Sequence, residues 1–181
     1  FDENRQKKTM RQLNAHADSI FLTLDVGEVF GFECRGSKRI LDFSKVGMYD
    51  SADFFEPIRA PKGTFKLRKD SFYILSTRER VMVPPELSAE LRPIDVRLGE
   101  FRSHAAGYID PGWGWGEDGT VCGRPITLEV IPHEDMLVRH GQVIARIRYE
   151  RMLAPPEAAY DSAQSNYTDQ EGPRLSKHFK T

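Results

Sequence analysis

A turn-rich stretch followed by a short alternating segment constrains the fold of this chain more than any other feature. Residues 107–116 contain glycines, a proline and two tryptophans, and glycine and proline are the residues that tight turns need. Residues 126–130 then alternate apolar and polar side chains, the period of a half-buried β-strand. We predict a hairpin that carries Asp110 and Trp113 and leads into a strand with Glu129 opposite its apolar face. Such a strand can contact a small polar substrate, or it can be an ordinary half-buried strand that covers the core.

Other short segments repeat this pattern along the chain. Further strands are predicted at residues 20–26, 29–34, 65–67, 72–75, 81–83 and 143–149. The second of these is expected to form a hairpin with the first. We also predict a short helix over residues 1–17, a long ordered loop over 41–62 and a single helical turn over 86–91, just after two prolines. Many short strands between Gly and Pro turns favour an all-β barrel or sandwich with few helices.

Composition excludes several classes of partner. The 181 residues suit one domain with its own core. Lys and Arg number 26 against 27 Asp and Glu, which argues against binding a nucleic-acid polymer because that needs a basic stripe. No apolar run is long enough to cross a membrane, so no membrane partner is expected and the cytoplasm is the expected location. The chain starts at Phe1 rather than Met, which suggests a piece of a longer protein.

The composition also changes near the C-terminus. Residues 153–166 are rich in Ala, Pro, Ser and Asp and are predicted to be a linker. We therefore divide the chain into a domain over residues 1–152 and a linker with a C-terminal tail over 153–181. The last ten residues carry three basic side chains and no acid. Such an end could close over an anionic ligand or remain a loose chain terminus.

Zinc-dependent deamination does not fit the sequence. That chemistry needs a Pro-Cys-x-x-Cys pair and a His-x-Glu motif, and neither occurs here. The five histidines show no paired helical spacing, and the two cysteines have no metal-ligand spacing. P-loop and Rossmann glycine motifs are missing as well. We expect no zinc and no other metal site built from protein side chains.

Glu129 is the best candidate for acid–base chemistry, because it follows the aromatic turn on a predicted strand. A solvent-facing Glu on a half-buried strand would show the same pattern. Asp110 stands before Pro-Gly, where Asp also commonly starts a turn, and Trp113 can stack on a base or pack in a core. Arg92 and Arg97 could bind phosphates through their planar guanidinium groups. Acidic neighbours make local ion pairs the alternative for both arginines.

Taken in order, these motifs resemble the dCTP deaminases of the dUTPase-like superfamily. The resemblance is carried by residues 72–75, 81–84, 98–99, 109–113, 127–129, 141–145 and the tail pattern Tyr-x-x-Gln-x-Gly-Pro-x-x-Ser over 167–176. Residues 54–58 and 175–179 are most similar to the C-terminal half of double-length deaminases. The family implies an all-β β-clip, a distorted jelly roll, that assembles as a trimer, or as a pseudo-trimer with a second β-clip half. Its active sites lie between subunits.

The resemblance also implies a role for each matched residue. Glu129 matches the family's catalytic Glu, which activates water for attack at C4 of cytosine and carries a proton to N3. Arg97 and the backbone of Ala106 match groups that orient this water. The residues matched to substrate binding are Arg92, Asp110, Trp113, Tyr160, Tyr167 and Gln170. The implied reaction converts dCTP to dUTP and ammonia without zinc, with Mg²⁺ bound through the substrate triphosphate.

Two departures from the family pattern leave other functions open. Pro93 and Ile94 stand where the family has two serines of its phosphate motif, so side-chain donors to a triphosphate are lost. Gly107 and Tyr108 replace a His-Arg pair and make this turn more similar to the hairpin of dUTPases. The alternatives are a dUTP pyrophosphatase in which Asp110 orients the water, and a non-catalytic β-clip half that supports assembly or regulation of a tandem deaminase.

Overall fold

The computed structural model describes residues 20–26, 28–94, 107–116, 123–162 and 167–180. Within these ranges the regular structure is ten β-strands and one turn of 3₁₀ helix, Ser51–Asp53. The strands are β1 (Ile20–Thr23), β2 (Gly31–Cys34), β3 (Phe55–Ile58), β4 (Thr64–Leu67), β5 (Tyr73–Ser76), β6 (Leu87–Arg92), β7 (Tyr108–Ile109), β8 (Thr127–Val130), β9 (Met136–Arg139) and β10 (Val143–Arg151). The all-β prediction is confirmed. No helix in these ranges is long and apolar enough to cross a membrane.

The strands form two four-stranded sheets and one two-stranded ribbon. The first sheet has the order β1-β10-β6-β7, the second β3-β2-β5-β8, and the ribbon joins β4 to β9. Every pairing between these strands is antiparallel. Antiparallel sheets bury one face and expose the other, which explains the alternation of apolar and polar residues in the sequence.

The core lies among the apolar faces of these strands. Its largest fully buried side chains include Leu22, Phe30, Tyr73, Leu75 and Leu128. Burying a side chain of this size stabilises the folded state by about 1.5–3 kcal/mol. In β8 Leu128 and Val130 are each 1% exposed, whereas Glu129 between them is exposed. The predicted division of this strand into two faces is confirmed.

Two local predictions are wrong because tertiary pairing overrides the local sequence signal. The predicted helical turn over residues 86–91 is strand β6, which pairs with β10 along its whole length and with β7 on its other side. The predicted loop over 41–62 contains β3. This strand includes Pro57, and its place at the edge of its sheet tolerates a residue without a backbone N–H.

Three predictions about strands and their partners are also wrong. Strand β2 pairs with β3 and β5 rather than with β1, whose partner is β10. The predicted strand at 81–83 is reduced to an isolated bridge between Val81 and Arg124. The predicted hairpin that carries Asp110 and Trp113 does not form, because β7 belongs to the first sheet and β8 to the second. The glycine-rich turn after β7 therefore lies where the chain passes from one sheet to the other.

Backbone hydrogen bonds fix this turn to two other segments. Gly112 N–H donates to the Val83 carbonyl at 2.9 Å, and Tyr160 N–H donates to the Pro111 carbonyl at 2.9 Å. Gly112 has φ +90°, and a Cβ there would lie 2.6 Å from the Cβ of Ala159. Only glycine suits both the backbone conformation and this close approach. The turn and residues 159–160 are thus held together.

The C-terminal tail packs on the domain. Residues Tyr49 and Phe179 form a parallel bridge, and Lys180 N–H donates to the Tyr49 carbonyl at 2.9 Å. Residues 153–162 contain no strand. The division of the chain at residue 152 stays a prediction, and the predicted helix over 1–17 lies outside the described residues.

Candidate active site

A cavity of about 640 Å³ brings the turn, β8 and the tail together. Parts of β5, β7 and β8 line it, together with the turn after β7, residues 41–55 and the tail. Six of the predicted site residues lie in its wall, namely Asp110, Trp113, Glu129, Tyr160, Tyr167 and Gln170. A largely apolar cavity of this size with a few polar groups is typical of small-molecule sites.

Glu129 reaches the cavity from the exposed face of β8. It pairs across the sheet with Ile74 of β5, so both side chains point to the same side, and both line the cavity. Thr127 lies two residues earlier on this face and also lines the cavity. The carboxylate is therefore at the cavity wall rather than on a remote surface. Its catalytic role stays a prediction.

Asp110 and Trp113 enter the wall from the turn. The backbone N–H of Trp113 donates to the Asp110 carbonyl at 3.2 Å, and the Trp113 carbonyl accepts from the backbone N–H of Val83 at 2.8 Å. The indole ring is buried and packs against Tyr160, with ring centroids 5.1 Å apart and planes at 55°. Among the described residues the buried indole N–H has no hydrogen-bond partner. The indole is held in the wall by its packing against Tyr160.

Gln170 anchors the tail on the strand that carries Glu129. The side chain is 3% exposed, and its amide nitrogen donates to the Pro125 carbonyl at 3.0 Å and to the Thr127 hydroxyl at 2.8 Å. The Arg174 N–H also approaches the Thr127 hydroxyl, at 3.4 Å. The tail therefore covers the cavity directly beside Glu129.

A second set of tail contacts closes the end of the cavity that is lined by phenylalanines, namely Phe43, Phe54, Phe55 and Phe179. His178 is buried, with Nδ1 2.6 Å from the Ser176 hydroxyl and Nε2 3.0 Å from the Phe43 carbonyl. Because a carbonyl only accepts, Nε2 is the protonated nitrogen in this contact. Phe179 packs edge-on against Phe54 and Phe55. Sequence reasoning missed this end of the cavity, since nothing local links residues 41–55 to the tail.

A buried ion pair behind the turn was also missed. Arg124 pairs with Asp161, and their side chains are 10% and 2% exposed. The same carboxylate accepts from the Gly116 N–H at 2.9 Å, which binds the start of the tail region to the turn. Each residue taken alone looks like an ordinary surface charge, so the sequence carries no signal for the pair.

The other three predicted site residues are Arg92, Arg97 and Ala106, of which the structure describes Arg92 alone. Arg92 does not line the cavity; its guanidinium pairs with Glu90 at 2.7 Å, as the local-pair alternative predicted. Arg97 and Ala106 lie outside the described residues. Within the described part of the chain, no three His, Cys, Asp or Glu side chains gather where they could hold a metal ion.

Comparison with known proteins assigns the chain to a family. The model of the 2'-deoxycytidine 5'-triphosphate deaminase (DCD) C-terminal domain matches residues 2–179. The chain belongs to the dCTP deaminase family, and the predicted resemblance is confirmed. It is 34% identical over 131 residues to "dCTP deaminase, dUMP-forming" of Dictyoglomus turgidum, and 32% identical over 135 residues to the protein of that name from Methanobrevibacter smithii. These matches cover 69% and 71% of this chain, and 63% and 65% of the two relatives.

A solved structure supports the same assignment. The crystal structure of 2'-deoxycytidine 5'-triphosphate deaminase from Agrobacterium tumefaciens matches with a TM-score of 0.67 and 39% sequence identity. The match covers 76% of this chain and 42% of that one. The predicted dUTPase-like β-clip is confirmed by this likeness. The chain thus spans less than half of that structure's chain and less than two thirds of the two curated relatives.

Proposed function

We propose that this chain catalyses the hydrolytic deamination of dCTP to dUTP and ammonia, as a cytoplasmic enzyme of pyrimidine deoxynucleotide metabolism. The observation that carries the proposal is the position of Glu129 in the wall of a cavity closed by the tail. Membership of the dCTP deaminase family supports the choice of reaction. A carboxylate is sufficient for proton transfer if it can reach both the water and the base.

In the proposed mechanism Glu129 works first as a base and then as an acid. It takes a proton from water as the water oxygen bonds to C4 of cytosine, and it delivers that proton to N3. A second proton transfer from the added hydroxyl to the 4-amino group lets the C4–N4 bond break and ammonia leave. One water is consumed for each ammonia released, so the atoms balance. Arg97 and the backbone of Ala106 are the groups proposed to orient the water.

The remaining wall residues are proposed to hold the nucleoside. Trp113 and Tyr160 form an aromatic surface on which a base or sugar can pack, and Asp110 supplies a carboxylate for a sugar hydroxyl. Tyr167 and Gln170 lie on the tail and line the same cavity. Arg92, from β6, would act on the phosphates only if its pair with Glu90 opens.

Mg²⁺ is proposed to arrive on the triphosphate of the substrate rather than in a site of the protein. Mg²⁺ prefers oxygen ligands and is commonly bound through one or two carboxylates together with substrate phosphates. The cavity wall contains two carboxylates, Asp110 and Glu129, and neither is needed as a ligand because the triphosphate itself supplies oxygen atoms. The ion would reduce the charge repulsion between these carboxylates and the phosphates. Residues on the wall then need to bind only the remaining negative charge.

Analysis of the products tests the proposed reaction and separates it from its competitors. Incubation of the protein with dCTP and Mg²⁺ is expected to release ammonia and dUTP in equal amounts. The relatives named dUMP-forming favour a second outcome, in which ammonia appears together with dUMP and pyrophosphate. Release of pyrophosphate from dUTP without deamination of dCTP would instead indicate a dUTP pyrophosphatase. Absence of both activities would favour the non-catalytic half, which Pro93 and Ile94 in the phosphate motif support.

We also propose that the chain assembles as a trimer, or with a second β-clip half as a pseudo-trimer. Four apolar side chains near the cavity are exposed, Ile40, Phe43, Val46 and Met48. Exposed apolar groups clustered in one segment are typical of protein interfaces. Light scattering at micromolar concentration is expected to give the mass of a trimer. A mass equal to that of one chain at every concentration would contradict the trimer of identical chains and favour the form that needs a second β-clip half.

A further inference from the structure

We infer that Arg174 of the tail is a phosphate-binding residue of the candidate active site. This inference rests on the proposed function and identifies how the site recognises the anionic part of its substrate. The lining of the cavity contains three charged side chains, Asp110, Glu129 and Arg174. Among the residues that the structure describes, Arg174 is thus the cation in the lining, and a nucleoside triphosphate brought to this wall needs one.

Residues 92–94, which match the family's phosphate motif, offer few hydrogen-bond donors in this chain. Pro93 has no N–H, Ile94 has no polar side-chain atom, and Arg92 pairs with Glu90 outside the cavity lining. Nearly all of this segment's donor capacity is therefore lost or already in use. A guanidinium on the cavity wall can replace it, since its planar set of five N–H donors matches phosphate oxygens.

The backbone at Arg174 is held while its side chain can change partner. Gln170 docks on Thr127 and Pro125, and the Arg174 N–H lies near the same Thr127 hydroxyl. The guanidinium pairs with Asp169 within the tail, and the Asp169 side chain is 77% exposed. This hydrogen bond holds the pKa of Asp169 below its ordinary value.

The Arg174 and Asp169 side chains are 25% and 77% exposed, and an ion pair with one side open to solvent contributes little to stability. Arg174 can therefore exchange Asp169 for a phosphate group at small cost. In the absence of nucleotide the Asp169 carboxylate neutralises the guanidinium. When a triphosphate is present, its greater negative charge and its larger number of acceptor oxygens favour the exchange.

The test compares nucleotide affinities in the full-length protein, with Glu129→Gln present throughout so that dCTP is not consumed. Titration calorimetry in Mg²⁺ buffer would measure dCTP, dCMP and deoxycytidine binding to that protein and to its Arg174→Gln, Asp169→Asn and Lys177→Gln versions. Arg174→Gln is expected to weaken dCTP binding by about 10- to 100-fold, the range for a lost charge-assisted hydrogen bond. Deoxycytidine affinity is expected to change by less than about twofold, because deoxycytidine has no phosphate.

Two further variants distinguish recognition from a structural role of the ion pair. Asp169→Asn removes the competing carboxylate and is expected to leave dCTP affinity unchanged or to raise it. Lys177→Gln removes a charge from the same tail outside the cavity lining and serves as the matched control. If Asp169→Asn weakens dCTP binding as much as Arg174→Gln does, or if deoxycytidine affinity falls in parallel, the pair only holds the tail and the inference is overturned.

The same titrations separate this inference from the proposed function. Equal affinity for dCTP and deoxycytidine would overturn the role of Arg174 and leave recognition of the base intact. Failure of the protein to bind any of the three ligands would overturn both proposals.

Discussion

Replacement of Glu129 by Gln is expected to abolish deamination of dCTP while the protein stays folded. The amide has nearly the same shape as the carboxylate but cannot take a proton from water at neutral pH. Loss of general acid–base catalysis costs about 10²- to 10⁴-fold in rate. Because the side chain lies on the exposed face of β8, the free energy of unfolding is expected to change by less than about 0.5 kcal/mol.

The measurement is the rate of ammonia release, with denaturant unfolding as the check on stability. Glu134→Gln provides the matched control, since Glu134 is exposed and does not line the cavity. Its rate should equal that of the unaltered protein. Full activity of the Glu129→Gln protein would refute the assignment of this residue.

The second large effect is expected on stability, from replacement of Asp161 by Ala. The substitution leaves the Arg124 guanidinium, 10% exposed, without its carboxylate partner, and also removes the acceptor of the Gly116 N–H. Breaking one partner out of a buried ion pair typically costs about 3–5 kcal/mol. Urea unfolding is expected to show a loss of this size. The turn that carries Trp113 should loosen as well, because Asp161 binds its far end.

Glu157→Ala controls for removal of a carboxylate from the same segment, because Glu157 is exposed. That change should alter the free energy of unfolding by less than about 0.5 kcal/mol. A double replacement of Arg124 and Asp161 by apolar residues is expected to be less damaging than Asp161→Ala alone, since it leaves no buried charge unpaired. A loss below about 1 kcal/mol for Asp161→Ala would show that the pair is solvated and does not hold the turn.

In the described site the tail is fixed to the strands, but one of its side chains, Arg174, can change its partner. Gln170 is buried against β8, whereas the neighbouring Asp169, which pairs with Arg174, has a side chain that is 77% exposed. This arrangement lets the tail remain docked while one side chain responds to the charge of the ligand. It also explains how a chain with Pro93 and Ile94 in its phosphate motif could still bind a triphosphate.

Some of the site followed from local sequence alone. The alternation over residues 126–130 placed Glu129 opposite Leu128 and Val130, and the structure has the same division. The turn residues Gly112, Gly114 and Gly116 all have positive φ, as their position after Asp-Pro predicts. Periodicity and glycine conformation are properties of a few neighbouring residues, so a single sequence is enough to recognise them.

The pairing of the strands could not be predicted from local sequence. Residues 86–91 follow two prolines and have the local signature of a helix start, yet they form β6 because β10 and β7 offer partners on both sides. Strand β1 finds its partner near the other end of the chain, in β10. Each choice depends on how much apolar surface the whole sheet buries, and no short window contains that information.

By itself, the sequence determined which residues of β8 face the core, that residues 110–116 form a turn, and which family motif carries the carboxylate. Only the tertiary structure decided that Glu129, Trp113 and Gln170 share one cavity, that Arg124 meets Asp161, and that Arg174 rather than Arg92 lines the wall. The physical reason is the range of the interactions. Backbone conformation and burial patterns are local, whereas cavities and buried ion pairs form between segments that meet only after the sheets have packed.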